Sequence, residues 1–142
     1  MKSKYIGKRS IQYIDFDYNE KPIRFVNIHL PPGDKTIDID ERYREVEEIV
    51  KFCKEKDNVI LAGDFNETSE KDFYQYLKNS GYKSSCFESN GEELHTFPSN
   101  NPEKCIDYVW FKGENIKLES AYTFGSSDAT DHKGIKAIFN IT

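Results

Sequence analysis

Cysteine is scarce in this sequence, and its few positions form no pattern. Cys53, Cys86 and Cys105 are odd in number, none belongs to a Cys-x-x-Cys spacing, and all fall in predicted helix or strand. That excludes a disulfide framework or a zinc site as the expectation and leaves three reduced, buried thiols in a cytoplasmic protein. Long hydrophobic runs are missing as well. The opening "MKSKYIGKRS" has no apolar stretch of the kind a secretory leader carries, and no segment approaches the length of a membrane span. A soluble chain with no membrane span is expected. An excess of positive charge is also absent. The net charge is -5, which argues against strong unaided attraction to nucleic acid or an anionic membrane. A phosphate-bearing substrate would need a metal ion to help. No repeat or low-complexity segment interrupts the chain.

What is present suits one compact domain over residues 1–142, with 37% hydrophobic and 14% aromatic content. "SIQYIDFDYNEKPIRFVNIHL" reads as a hairpin of strands, about Tyr5 to Asp17 and Pro22 to Leu30, joined by the turn-rich "YNEKP". Ile39, Tyr43, Val46, Val50 and Cys53 recur at helical spacing. A helix is expected from Asp38, with Asp38 and Glu41 as a capping box, to about Lys56. The strand "NVILAGDF" follows. "TSEKDFYQYLKNSG" reads as a second helix, with Thr68 or Ser69 as N-cap and Gly81 as its stop. Further strands are expected near Lys83 to Phe87, Cys105 to Lys112, Lys117 to Phe124 and Gly134 to Ile141.

These strands are apolar on both faces. Val26, Ile28 and Leu30 oppose Ile23 and Phe25; Val59 and Leu61 oppose Ile60 and Ala62; Ile106, Tyr108 and Trp110 oppose Val109 and Phe111. Such strands lie inside a sheet covered on both sides, yet two helices cover only one. Another chain or another piece of protein is expected on the second face; a sheet curled enough to cover itself is the alternative.

Polar residues with catalytic potential stand where strands end. They are His29, the Asp64 and Asn66 of "GDFN", the Asp107 of "CIDYVWF", and Asp131 and His132 before the last strand. Each alone has an ordinary explanation: a hydrogen-bonded core histidine, a turn asparagine, a lysine partner, a loop carboxylate.

Together, "VNIHL", "VILAGDFNE", "HTFPS" followed by "CIDYVWF", and "TDHKGIKAIF" resemble the endonuclease/exonuclease/phosphatase superfamily, in that family's order. The pieces run from Val26 to Phe139, with Thr130 where the family has a serine. The resemblance covers nearly the whole chain but only the C-terminal half of the family's DNase I-like domain. It implies an α/β (α+β) sandwich: a mixed, mostly antiparallel sheet with two helices on one face, one half of a four-layer structure. It also implies a divalent-metal-dependent phosphoester hydrolase acting on nucleic acid or a small phosphorylated molecule.

Hydrolysis of a phosphoester needs an activated water, neutralised phosphoryl oxygens and a stabilised leaving oxygen. Asp64 suits the first task. Asn66, on the same side of Phe65 by strand alternation, would donate to a phosphoryl oxygen or hold Asp64. His132 would donate to phosphate while Asp107 fixes its tautomer. Asp131 resembles the family's metal ligand, for Mg2+ or Mn2+, and His29 resembles a second phosphate contact. The Asn and the Gln-Glu motif of the family's first half cannot be placed, since Glu20 sits in a hairpin turn, so the metal is expected to be weakly held. A missing N-terminal half or a homodimer is expected on the open sheet face. A non-catalytic module that pairs through this face is the competing reading. Lys104 and Lys133 are isolated, so no cationic stripe marks a nucleic-acid substrate.

Overall fold

The computed structural model describes residues 1–7 and 9–142. Lys8, within the strand expected over Tyr5 to Asp17, lies outside the described residues. That expected strand is two strands, β1 (Lys2–Ile6) and β2 (Arg9–Tyr18), paired antiparallel with Ile6 opposite Arg9. β3 (Lys21–His29) returns antiparallel to β2. Helix α1 (Thr36–Phe52) then crosses over to β4 (Val59–Asp64), which lies parallel to β3. Helix α2 (Asp72–Asn79), the two-residue β5 (Lys83–Ser84) and helix α3 (Ser85–Asn90) precede β6 (Asp107–Lys112), which runs antiparallel to β4. The six strands are ordered β1-β2-β3-β4-β6-β5, and β7 (Ile116–Phe124) with β8 (Gly134–Ile141) forms a separate two-stranded sheet. The sheet is mixed and mostly antiparallel, as expected.

Three local expectations are corrected. Of the strand expected over Lys83 to Phe87 only Lys83–Ser84 is strand, because the chain turns helical at Ser85. Gly91, in the left-handed conformation with φ 79°, ends α3 by donating its N–H to the Phe87 carbonyl at 2.8 Å. The described residues therefore form three helices, where two were expected. The α1 cap lies one turn earlier than expected, with Asp38 accepting the Lys35 N–H at 3.1 Å. The residue preceding α2 is Lys71 rather than Thr68 or Ser69.

The two faces of the six-stranded sheet differ in cover. On one, Val26, Ile28, Val59, Leu61, Tyr108 and Trp110 are buried with Val46 and Ile49 of α1 and Phe73 and Leu77 of α2. A fully buried aliphatic or aromatic side chain of this kind contributes about 1.5–3 kcal/mol by leaving water. The other face is partly roofed by the β7-β8 hairpin, where Phe139 meets the Phe111 ring edge-on at 5.2 Å. Between roof and floor runs an apolar groove of about 410 Å³, lined by residues that include Phe25, Ile60, Ala62, Val109, Phe124 and Ala137. Beyond the hairpin the face is open, with Ile14 and Phe16 of β2 each 39% exposed, and at the hairpin's own end Phe124 is 54% exposed. The chain thus covers part of its own second face and leaves the rest to solvent.

Candidate active site

The register of the sheet builds the site. His29, Asp64 and Asp107 are direct partners across β3, β4 and β6, so all three project from the same face at the end of the sheet. That face is the apolar one roofed by the hairpin. Gly63 makes the alignment possible. Its φ is 143°, and a Cβ there would lie 1.9 Å from the Ile28 carbonyl oxygen. Only glycine lets β3 and β4 approach this closely immediately before His29 and Asp64.

His132 arrives from the loop between β7 and β8. Its Nδ1 is 2.8 Å from Asp107 Oδ2, and its Nε2 is 3.9 Å from Asp64 Oδ2. The His29 Nε2 is likewise 3.9 Å from Asp64 Oδ2, so one carboxylate oxygen is flanked by two imidazoles. With Asp107 accepting at Nδ1, the His132 proton sits there in the neutral ring, and Nε2 faces Asp64.

The charges are set by this packing. Burial raises the Asp64 pKa, helped by the neighbouring Asp107 carboxylate, against the opposing hydrogen bond from the Asn66 N–H and the two histidines. For His132, burial works against the charged ring, but the Asp107 hydrogen bond and the charges of Asp107, Asp64 and Asp131 outweigh it, and the pKa is raised.

Asn66 departs from the expected geometry. β4 ends at Asp64, and Asn66 adopts a left-handed backbone with φ 50°, a conformation Asn tolerates better than most residues. Strand alternation does not apply to it. Its backbone N–H donates to Asp64 Oδ1 at 2.7 Å, and its side-chain amide donates to the Leu30 carbonyl at 2.8 Å. It is thus the backbone of Asn66, and not its side chain, that bonds to Asp64. Asp131 is exposed, with Thr130 Oγ1 donating to it at 3.4 Å. Its carboxylate stands outside the group formed by Asp64, Asp107 and His132, whose ligand atoms lie within 4.8 Å of one another.

The residues that hold the His132 loop were not singled out one by one from sequence. Thr96 is fully buried, and its Oγ1 accepts the N–H groups of Ile106 and Asp107 at 3.3 and 3.4 Å. Ser99 donates its hydroxyl to the Thr130 carbonyl at 2.6 Å and its N–H to the Asp131 carbonyl at 2.7 Å. The Phe97 ring lies 4.9 Å from the His132 ring. "HTFPS" is thus the bracket joining the Asp107 strand to the His132 loop. Its signal in the sequence was its place before "CIDYVWF", with no hint of which side chain bonds to what.

A family model for the endonuclease/exonuclease/phosphatase family matches residues 5–132. The chain belongs to that family. Its members act on phosphorylated substrates such as nucleic acids. Among solved structures, the chain is similar to a functionally unknown conserved protein from Enterococcus faecalis V583, with TM-score 0.76 and 19% identity over 94% of this chain and 57% of that one. It is similar to an endonuclease/exonuclease/phosphatase from Beutenbergia cavernae DSM 12333, with TM-score 0.79 and 14% identity over 94% and 39%. It is also similar to D. rerio TDP2 complexed with a single-strand DNA product, with TM-score 0.75 and 17% identity over 99% and 67%. At these identities the likeness shows the shared DNase I-like fold. The chain spans 57% and 39% of the first two of these relatives. No curated protein matches the sequence. No helix among the described residues is long and apolar enough to cross a membrane.

Proposed function

We propose that the chain is the C-terminal half of a divalent-metal-dependent phosphoester hydrolase, a phosphodiesterase or phosphatase. The observation that carries this reading is the row of His29, Asp64 and Asp107 on three adjacent strands, closed by the His132–Asp107 pair. Asp64 accepts a proton from the attacking water, its basicity raised by burial. His132, held as the imidazolium by Asp107 at Nδ1, donates from Nε2 to a phosphoryl oxygen. His29, exposed beside Asp64, makes a second phosphate contact. A positioned general base contributes about a hundred- to ten-thousand-fold in rate.

The donor set fits a hard cation. Two carboxylates converge, while the His132 Nδ1 is already engaged by Asp107. Asp131, at the exposed lip, is the ligand the family resemblance names for Mg2+ or Mn2+, beside the Asp64 and Asp107 carboxylates that serve the water and His132. So few carboxylates leave such an ion mostly hydrated and loosely held. When bound, the ion would neutralise charge developing on the phosphoryl and leaving oxygens.

The partly open apolar face supports a partner there, either the family's N-terminal half or a second copy of this chain. Three buried, unpaired cysteines suit a reducing cytoplasm. The exposed Ile14, Phe16 and Phe124 on the same face support a second reading: a non-catalytic module that associates through it. Hydrolysis of a generic chromogenic phosphodiester with and without Mg2+ separates the two. Metal-dependent turnover supports the enzyme, and its absence from an assembled sample supports the module.

A further inference from the structure

Arg42 and Glu67 form an ion pair that the chemistry above does not use. Arg42 on α1 is 2% exposed and Glu67, just past Asn66, is 7% exposed. Burying two charges costs more than their attraction returns unless geometry and hydrogen bonding are nearly complete. Here they are. Nε and Nη2 of Arg42 donate to Glu67 Oε2 at 3.0 and 2.6 Å, and Nη1 donates to the carbonyls of Pro31 and Gly33 at 3.1 and 2.7 Å. The partners are specific in place. Pro31 and Gly33 belong to the segment leaving β3 directly after His29, and Glu67 belongs to the segment leaving β4 after Asp64 and Asn66.

One guanidinium therefore ties together the two chain segments whose ends carry His29 and Asp64. Two further bonds cross the same gap: the Leu30 N–H donates to the Asp64 carbonyl at 2.9 Å, and the Asn66 side chain donates to the Leu30 carbonyl at 2.8 Å. Glu67 is itself fixed, its carbonyl accepting the Tyr108 hydroxyl at 3.1 Å. Two hydrophobic residues could fill this space without the desolvation cost. What they could not supply is a planar fork that sets the spacing of three acceptors at once.

We propose that Arg42 and Glu67 are positioning residues, setting the β3 end that carries His29 against the left-handed turn at Asn66 that holds Asp64. The inference rests on the proposed function for the meaning of that geometry, but its test does not depend on turnover. The readout is the Asn66 side-chain amide in the 15N-labelled full chain, a signal that a simple brace of the fold would not move.

Arg42→Lys keeps the charge and removes the fork. The expected result is a chain that remains folded, an Asn66 side-chain amide that exchanges roughly three- to tenfold faster through loss of a net hydrogen bond, and shifted signals confined to residues 29–33 and 64–68. Glu67→Gln, which keeps an acceptor oxygen but loses the charge, is expected to show the same change in the Asn66 amide to a smaller degree. A lowered melting temperature with the Asn66 amide unchanged in exchange and shift would overturn the proposal and leave the pair as a fold brace. If Arg42→Lys does not fold, Glu67→Gln is read in its place: a displaced or faster-exchanging Asn66 amide supports positioning, and a wild-type one overturns it.

Discussion

Nδ1 of His132 lies 2.8 Å from Oδ2 of Asp107, a residue 25 positions earlier in the chain. The pair joins the β7-β8 loop to the end of β6, and it determines both the tautomer and the charge of the ring. Replacing Asp107 with Asn removes the hydrogen bond and the nearest negative charge. The His132 pKa is then expected to fall relative to wild type in an NMR titration. An unchanged titration would show that Asp107 does not control the ring.

The same pair makes stability depend on pH. A histidine whose pKa is raised by folding contributes stability that is fully present below its unfolded pKa, ordinarily about 6.5, and is lost as pH rises through the higher folded value. In denaturant titrations across that window, wild type is expected to lose stability with rising pH more steeply than His132→Gln. Parallel curves would contradict this.

Gly63→Ala tests the strand alignment. The added methyl would meet the Ile28 carbonyl oxygen at 1.9 Å on a backbone with φ 143°. Strain of this type costs about 1–3 kcal/mol for the conformation alone, and the clash adds to it. Thermal unfolding is expected to shift strongly downward. If the variant folds, the His29 and Asp64 signals are expected to move; a wild-type melting temperature would refute the close-approach argument.

Thr96→Val tests the bracket. Valine keeps the shape but leaves the Ile106 and Asp107 N–H groups without their buried acceptor, a loss of about 1–3 kcal/mol. The His132 titration is expected to change together with stability, because Thr96 also receives the Lys133 N–H at its own carbonyl, at 2.7 Å. Stability loss with an unaltered His132 would confine Thr96 to the fold.

The apolar face makes a prediction about assembly. Ile14, Phe16 and Phe124 are exposed beside the groove, and apolar surface of this extent favours association. Light scattering is expected to show the chain as a dimer or larger, and Phe124→Glu is expected to shift it toward monomer. A monodisperse, well-folded monomer would contradict the expectation.

Much of this site was legible before the structure. Strand alternation alone places His29 and Asp64 at the ends of buried strands, and the apolar second face follows from Ile23, Phe25, Ile60, Ala62, Val109 and Phe111. Other parts were not legible, for physical reasons. The pairing of Asp107 with His132 and of Arg42 with Glu67 joins residues far apart in sequence, so no local pattern encodes either. Asn66 broke the alternation because one residue in the left-handed region ends a strand, and nothing in "GDFN" distinguishes that turn from an extended end. "SSCF" reads as strand by its apolar and small residues, yet it begins a helix because Ser85 and Cys86 are buried and Gly91 offers a left-handed stop. The roof over the second face depended on β7 and β8 leaving the main sheet, a tertiary choice that strand patterns do not record.

The proposed function rests on Asp64 and His132 performing phosphoester hydrolysis. The most direct measurement is turnover of a generic phosphodiester, with and without Mg2+, by the assembled wild-type chain and by the Asp64→Ala, His132→Ala double variant. Mg2+-dependent turnover is expected in wild type and none above background in the folded double variant. Turnover that survives both substitutions, or none in assembled wild type, would contradict it.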